Sequence, residues 1–151
     1  MTTRTVGFAV VLVLASNTLL GQWTARGISP LPLWADSALT KAGFWGSYDF
    51  TSRLSPDVGF ADLDGDGLWD VALGIVDKGG RRRGVAIVNQ IDRSVHILGA
   101  GQPLGNGRNE FSNWDLGALL GYRAGVRVMD WHVSGWFVWN GQTYVWVQDS
   151  E

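Results

Sequence analysis

Asp62, Asp64, Asp66 and Asp70 stand at positions 1, 3, 5 and 9 of the run Asp62-Leu63-Asp64-Gly65-Asp66-Gly67-Leu68-Trp69-Asp70. Four carboxylates this close repel one another, and a divalent cation removes the conflict. Gly65 and Gly67 let the chain turn sharply enough to bring the side chains inward. Leu68, at position 7, offers its backbone carbonyl, so the donors would all be oxygens. An oxygen set without nitrogen or sulfur favours Ca²⁺ over Zn²⁺. Mg²⁺ fits less well, because it demands tight octahedral geometry and keeps its waters. The expected cofactor is therefore Ca²⁺, with Asp62, Asp64, Asp66, Leu68 and Asp70 as ligands. A metal-free turn is the competing reading, but a turn needs one Asp-Gly step, not four aspartates at ligand spacing.

Such a loop must be held by its flanks. Val58 to Ala61 reads as a short strand leading into it, and Trp69 to Val76 as a strand leading out. The second strand is apolar on both faces, with Val71, Leu73 and Ile75 on one and Ala72 and Val76 on the other. Asp77-Lys78-Gly79-Gly80 turns the chain into a return strand, Gly84 to Asn89, and Ile91 to Ser94 turns it into a third, Val95 to Leu98. Short strands joined by short turns predict an antiparallel meander, and apolar residues on both faces predict cover on both sides. Position 12 of the loop, where an EF-hand carries a bidentate glutamate, is Leu73. That leucine and the flanking strands exclude an EF-hand.

Elsewhere the pattern is weaker. Residues 22–35 read as an irregular lead-in with two prolines, and Asp36-Ser37 as the cap of a short helix through about Ala42. A second short helix is expected within Phe111 to Leu120, capped by Ser112 or Asn113 and stopped by Gly121. Gly125 to Met129 is a weak strand. The chain closes with a hairpin around Asn140-Gly141, read as a type I′ turn. That turn would set Trp139 opposite Gln142, Phe137 opposite Tyr144 and Gly135 opposite Trp146. Phe137, Trp139, Tyr144 and Trp146 would share one face, and Trp136, Val138, Thr143 and Val145 the other. The expected fold is mainly β, an antiparallel sheet or meander with one or two short helices and the aspartate loop between strands.

The aromatic hairpin supplies a second candidate site. Trp139, Tyr144 and Trp146 could stack on sugars or dock a protein, although paired aromatic faces in a small domain more often form its core. The glycines from Gly99 to Gly107 do not have phosphate-loop spacing, and Pro103 interrupts them. His96 and His132 have no ligand-spaced partner, and nothing pairs Glu110 with Asp115. Arg81-Arg82-Arg83 is the only basic run and reads as a solvated turn.

Composition sets the outer bounds. The chain has 151 residues, 46% hydrophobic and 17% charged, which fits one folded domain. A net charge of −2 argues against nucleic-acid binding by bulk charge. The absence of cysteine excludes disulfides, thiolate catalysis and cysteine zinc sites. Arg4 followed by the apolar run Val6 to Ala15 resembles an export signal. Cleavage would fall after Ala15 or near Gly21, and an uncleaved anchor is the alternative. Residues 1–21 are thus set apart as an export segment and residues 22–151 as one β-rich domain, periplasmic or secreted. No membrane span is expected once the signal is removed.

The stretch Val58-Gly59-Phe60-Ala61, the aspartate loop and Val71-Ala72-Leu73-Gly74 together resemble the FG-GAP/VCBS-type calcium-loop repeat of exported bacterial proteins. The likeness covers about twenty residues, and no second copy follows. A propeller needs at least about four blades and so cannot be built from this chain alone. The resemblance implies a calcium-stabilised β structure and no activity. The functional expectation is a small exported calcium-binding domain, structural or partner-binding and non-catalytic. The alternatives are a glycan- or protein-binding module using the C-terminal aromatics, and a hydrolase with unassigned acidic residues.

Overall fold

The computed structural model describes residues 23–25, 30–51, 54, 56–105, 107–119, 124–130 and 133–149. The export segment, residues 1–21, and His132 lie outside the described residues. Three layers are stacked. A five-stranded antiparallel sheet lies in the middle, with helices on one face and a four-stranded antiparallel sheet on the other.

The middle sheet is built on β5 (Asp70–Asp77) and β6 (Arg83–Val88), followed by β7 (Val95–Gly99). β3 (Tyr48–Phe50) and β4 (Val58–Ala61) share the other edge of β5. Alternation along these strands separates two cores. Val71, Leu73 and Ile75 of β5, with Ala86 and Val88 of β6, face the helical layer. Ala72, Val85, Ile87 and Leu98 face the second sheet. The sheet is thus covered on both sides, as its two apolar faces require.

The helical layer is α1 (Leu33–Lys41) and the one-turn α2 (Phe44–Ser47), after the short strands β1 (Trp23–Ala25) and β2 (Pro30–Pro32). The lead-in is therefore not irregular, since β1 and β2 pair. α1 starts at Leu33, three residues before the expected cap. Pro32 precedes it with a φ of −56°, close to helical, and Asp36 lies in the first turn without capping it. Ala35, Ala38 and Leu39 bury its inner face.

The second sheet runs β8 (Trp114–Ala118), β9 (Ala124–Asp130), β10 (Val133–Trp139) and β11 (Tyr144–Gln148), in the order β11-β10-β9-β8. The helix expected within Phe111 to Leu120 is a strand instead. Trp114 is buried, Asp115 exposed and Leu116 packed on the core, a period of two that suits a sheet facing one way.

The hairpin register also differs from expectation. Trp139 faces Tyr144 and Phe137 faces Trp146, two residues from the predicted pairing. The Asn140 side-chain oxygen accepts the N–H groups of Gln142 (3.0 Å) and Thr143 (2.9 Å). Gly141 alone in this turn has positive φ (+98°), which fits glycine at the first central position of a type II′ turn and not a type I′ pair. A slip of two leaves the faces unchanged, so Phe137, Trp139, Tyr144 and Trp146 still share one side and turn inward. Among the described residues no helix is long and apolar enough to cross a membrane.

Candidate metal centre

The aspartate loop closes the antiparallel pair β4–β5, where Ala61 faces Asp70. Its two ends are therefore held by the sheet. Leu63 is fully buried in the inter-sheet core and anchors the loop from below. Burying a leucine side chain stabilises by roughly 1.5–3 kcal/mol. Asp62 and Asp64, on either side of Leu63, are half-buried. Gly65 (φ +77°) and Gly67 (φ +90°) occupy left-handed backbone that other residues adopt at a cost.

Carboxylate oxygens of Asp62, Asp64 and Asp70 lie within 4.8 Å of one another. Asp70 is the organiser. It is fully buried, and its Oδ2 accepts the N–H groups of Leu63 (2.8 Å) and Asp64 (3.2 Å) while its Oδ1 accepts that of Gln90 (2.9 Å). It ties the loop to the turn between β6 and β7. Asp64 Oδ1 accepts the Asp66 N–H (3.0 Å), and Asp62 Oδ2 accepts the Gly67 N–H (3.1 Å). These bonds wind the loop around the cluster.

Asp62 Oδ1 is different. It is shielded from solvent and has no hydrogen-bond partner among the described residues. An orphaned buried carboxylate oxygen is costly unless a cation meets it. Electrostatics point the same way. Burial raises the Asp64 carboxyl above its usual value, and the Asp66 and Asp62 carboxylates reinforce the shift. Burial also raises Asp70, helped by Asp64 and opposed by the N–H groups of Gln90 and Leu63.

Asp66 does not join this group of carboxylates. Asp66 is exposed and stands outside the three-carboxylate cluster, with its Oδ1 accepting the Leu68 N–H (2.7 Å). The Leu68 side chain is exposed. The residues present nonetheless fit a hard cation, since the donors are oxygens and one of them is orphaned. Asp62, Asp64 and Asp70 would hold it, Asp70 through Oδ1, which accepts a single N–H and retains lone-pair capacity. A bound cation would supply charge neutralisation.

The aromatic hairpin lies beside the loop but faces inward. Tyr144 is buried, and its hydroxyl donates to Asn89 Oδ1 across the two sheets (2.9 Å). Burial, reinforced by the charge of Asp70, pushes its phenol well above the usual range. Trp139 and Trp146 are partly buried against the inter-sheet core. His96 packs edge-on to Trp139 and Tyr144 and meets Ser94 Oγ through Nε2 (3.0 Å). Val95 to Leu98, Gln102 to Gly105, Phe137 and Thr143 to Trp146, the candidate Tyr144 and Trp146 among them, wall an open cleft of about 640 Å³.

Two participants were missed by the sequence. The Gln90 N–H clamps Asp70, and its position beside the loop follows only from the β5–β6 pairing. Trp69, read as the first residue of a strand, is instead 67% exposed on the loop. A scan against protein-family models and searches of curated proteins and of solved structures find no match to this chain.

Proposed function

We propose that this protein is a small non-catalytic β domain that binds Ca²⁺ through the Asp62–Asp70 loop. The ion acts as a staple between β4, β5 and the β6–β7 turn. The single observation that carries the reading is the buried, unpartnered Asp62 Oδ1 beside the Asp64 and Asp70 carboxylates. The resemblance of residues 58–74 to a calcium-loop repeat supports it, and that resemblance rests on those residues alone. The export-like segment Arg4 to Ala15 supports a periplasmic or secreted setting, where calcium is plentiful. Extracellular loops bind calcium with Kd of about 10⁻⁴ to 10⁻³ M. At a hundredfold excess over Kd the ion would stabilise the fold by roughly 2.7 kcal/mol.

One observation favours partner binding as a second role. Trp69, Leu68 and Phe60 are exposed apolar side chains on the loop and its incoming strand. These side chains support a docking surface beside the metal loop in preference to Trp139, Tyr144 and Trp146, which pack on the inter-sheet core. The test of the first reading is a thermal melt in EDTA against Ca²⁺ raised to a hundred times Kd, about 10–100 mM for that range. At about 3–4 °C per kcal/mol for a domain of this size, the expected rise in Tm is about 10 °C. An identical Tm in both conditions overturns the metal reading.

A further inference from the structure

The run Arg81-Arg82-Arg83 does not behave as one solvated turn. Arg82 folds back on Asp77, with Nε and Nη2 donating to Oδ2 at 3.0 and 2.6 Å. Arg81 and Arg83 have no side-chain hydrogen-bond or ion-pair partner among the described residues. Both line a cleft of about 500 Å³ at the end of the sandwich, together with Arg108, Asn109, Glu110 and Ser112. Both also border an adjoining hollow of about 380 Å³ beside Thr51.

Their backbones are fixed. The Arg83 carbonyl accepts the N–H groups of Ala100 (2.9 Å) and Phe111 (3.3 Å). Arg83 continues the alternation of Val85 and Ile87, so it stands on the face that packs against the second sheet. The inner row of β6 thus ends in a half-buried arginine where an apolar residue would extend the core. Arg81 holds a φ of +60°, disfavoured for any residue with a Cβ, next to two glycines that would adopt it freely.

The geometry points to an oxyanion site in this cleft, taking a phosphate or sulfate group carried on a small hydroxylated molecule. Arg108 is engaged with Asp130 (3.1 Å), so those two charges offset each other. Arg81 and Arg83 remain, against the exposed Glu110 in this cleft and, in the adjoining hollow, Asp49, which Lys78 pairs at 3.4 Å. Guanidinium forks match tetrahedral oxyanions and carboxylates bidentately. Asn109, Ser112 and Glu110 offer hydrogen-bonding groups for neighbouring hydroxyls. The volume lies within the range of about 300–1,000 Å³ usual for small-ligand pockets.

The test is calorimetric titration in metal-depleted, low-salt buffer with inorganic phosphate, inorganic sulfate, glucose 6-phosphate and glucose. One saturable site for glucose 6-phosphate is expected, tighter than for either inorganic ion, with no heat from glucose. Arg81→Gly and Arg83→Gln should each weaken binding about tenfold or more, as loss of a charged hydrogen bond does. Lys41→Gln, an equal charge change at the exposed end of α1, should change it less than about twofold. Arg81→Gly suits the φ of +60°, so it reports on binding even if Arg83→Gln fails to fold. No saturable binding of any probe, or equal weakening by Lys41→Gln, overturns the site. Equal affinity for inorganic phosphate and glucose 6-phosphate overturns the hydroxylated-ligand assignment.

Discussion

Asp70 and Asp62 belong to one loop but should respond in opposite ways to replacement when metal is absent. Asp70 is fully buried and accepts three backbone N–H groups, from Leu63, Asp64 and Gln90. Asp70→Ala leaves all three without their partner. A fully buried orphaned donor costs about 1–3 kcal/mol, and the Leu63 N–H is in that position. The Asp64 and Gln90 groups are only partly buried and gain water. Relief of the burial and repulsion that raise the Asp70 carboxyl offsets some of the loss. The net cost is about 1–3 kcal/mol, or a Tm about 3–10 °C lower. Asp62→Asn keeps an oxygen for the Gly67 N–H and puts an amide donor in place of the orphaned Oδ1. It also removes one charge from the cluster, so in EDTA its Tm should match or exceed that of the parent. Urea and thermal melts of both variants in EDTA decide the matter. A tolerated Asp70→Ala, or an Asp62→Asn as damaging as Asp70→Ala, refutes this division of roles.

Two further outcomes follow from the contacts around the loop. Tyr144→Phe removes the hydroxyl that satisfies Asn89 Oδ1, and the Asn89 side-chain nitrogen already lacks a partner among the described residues. Urea unfolding should show a loss of about 1–3 kcal/mol, and a loss below about 0.5 kcal/mol would mean the bond does not join the sheets. Burial lowers the His96 pKa below its usual 6.5, against the pull of Asp92 and Asp64. The unfolded chain then binds more protons than the folded one just below pH 6.5. The His96 contribution is therefore intact above that pH and lost as pH falls toward the folded pKa. Urea midpoints between pH 7.5 and 5.5 should decline on acidification, and His96→Gln should flatten the decline. An unchanged slope in that variant would contradict the assignment.

The middle sheet was legible because its strands are bounded by strong turn signals and are apolar in a period of two. Asp77-Lys78-Gly79-Gly80 and Ile91 to Ser94 mark the reversals, and the two faces of β5 separate as the alternation of Val71, Ala72 and Leu73 requires. β8 was not legible, because Ser112 and Asn113 mimic a helix cap and only packing on the inter-sheet core favours a strand there. The start of α1 was hidden for a related reason. Proline pre-sets the helical φ without a capping side chain, so Asp36-Ser37 was the stronger local signal. The hairpin slipped by two because Asn140 uses its side chain to cap the turn, which an Asn-Gly pair alone does not reveal.

At the candidate site the spacing identified the aspartates but not their separate tasks. Asp62, Asp64 and Asp70 converge, while Asp66 remains outside. That difference depends on Leu63 plugging the core and on the Gln90 N–H arriving from a distant turn. Such tertiary contacts leave no trace in a nine-residue pattern. The same holds for the arginine run, whose members part only when Arg82 closes on Asp77.

The central claim is that the Asp62–Asp70 loop is a calcium site. Calorimetric titration of metal-free protein with Ca²⁺ tests it most directly, with Asp62→Asn alongside. The account predicts one ion per chain, binding at least about tenfold weaker in Asp62→Asn, and a much weaker response to Mg²⁺. No saturable calcium binding at millimolar concentration, or binding unaffected by Asp62→Asn, would contradict it.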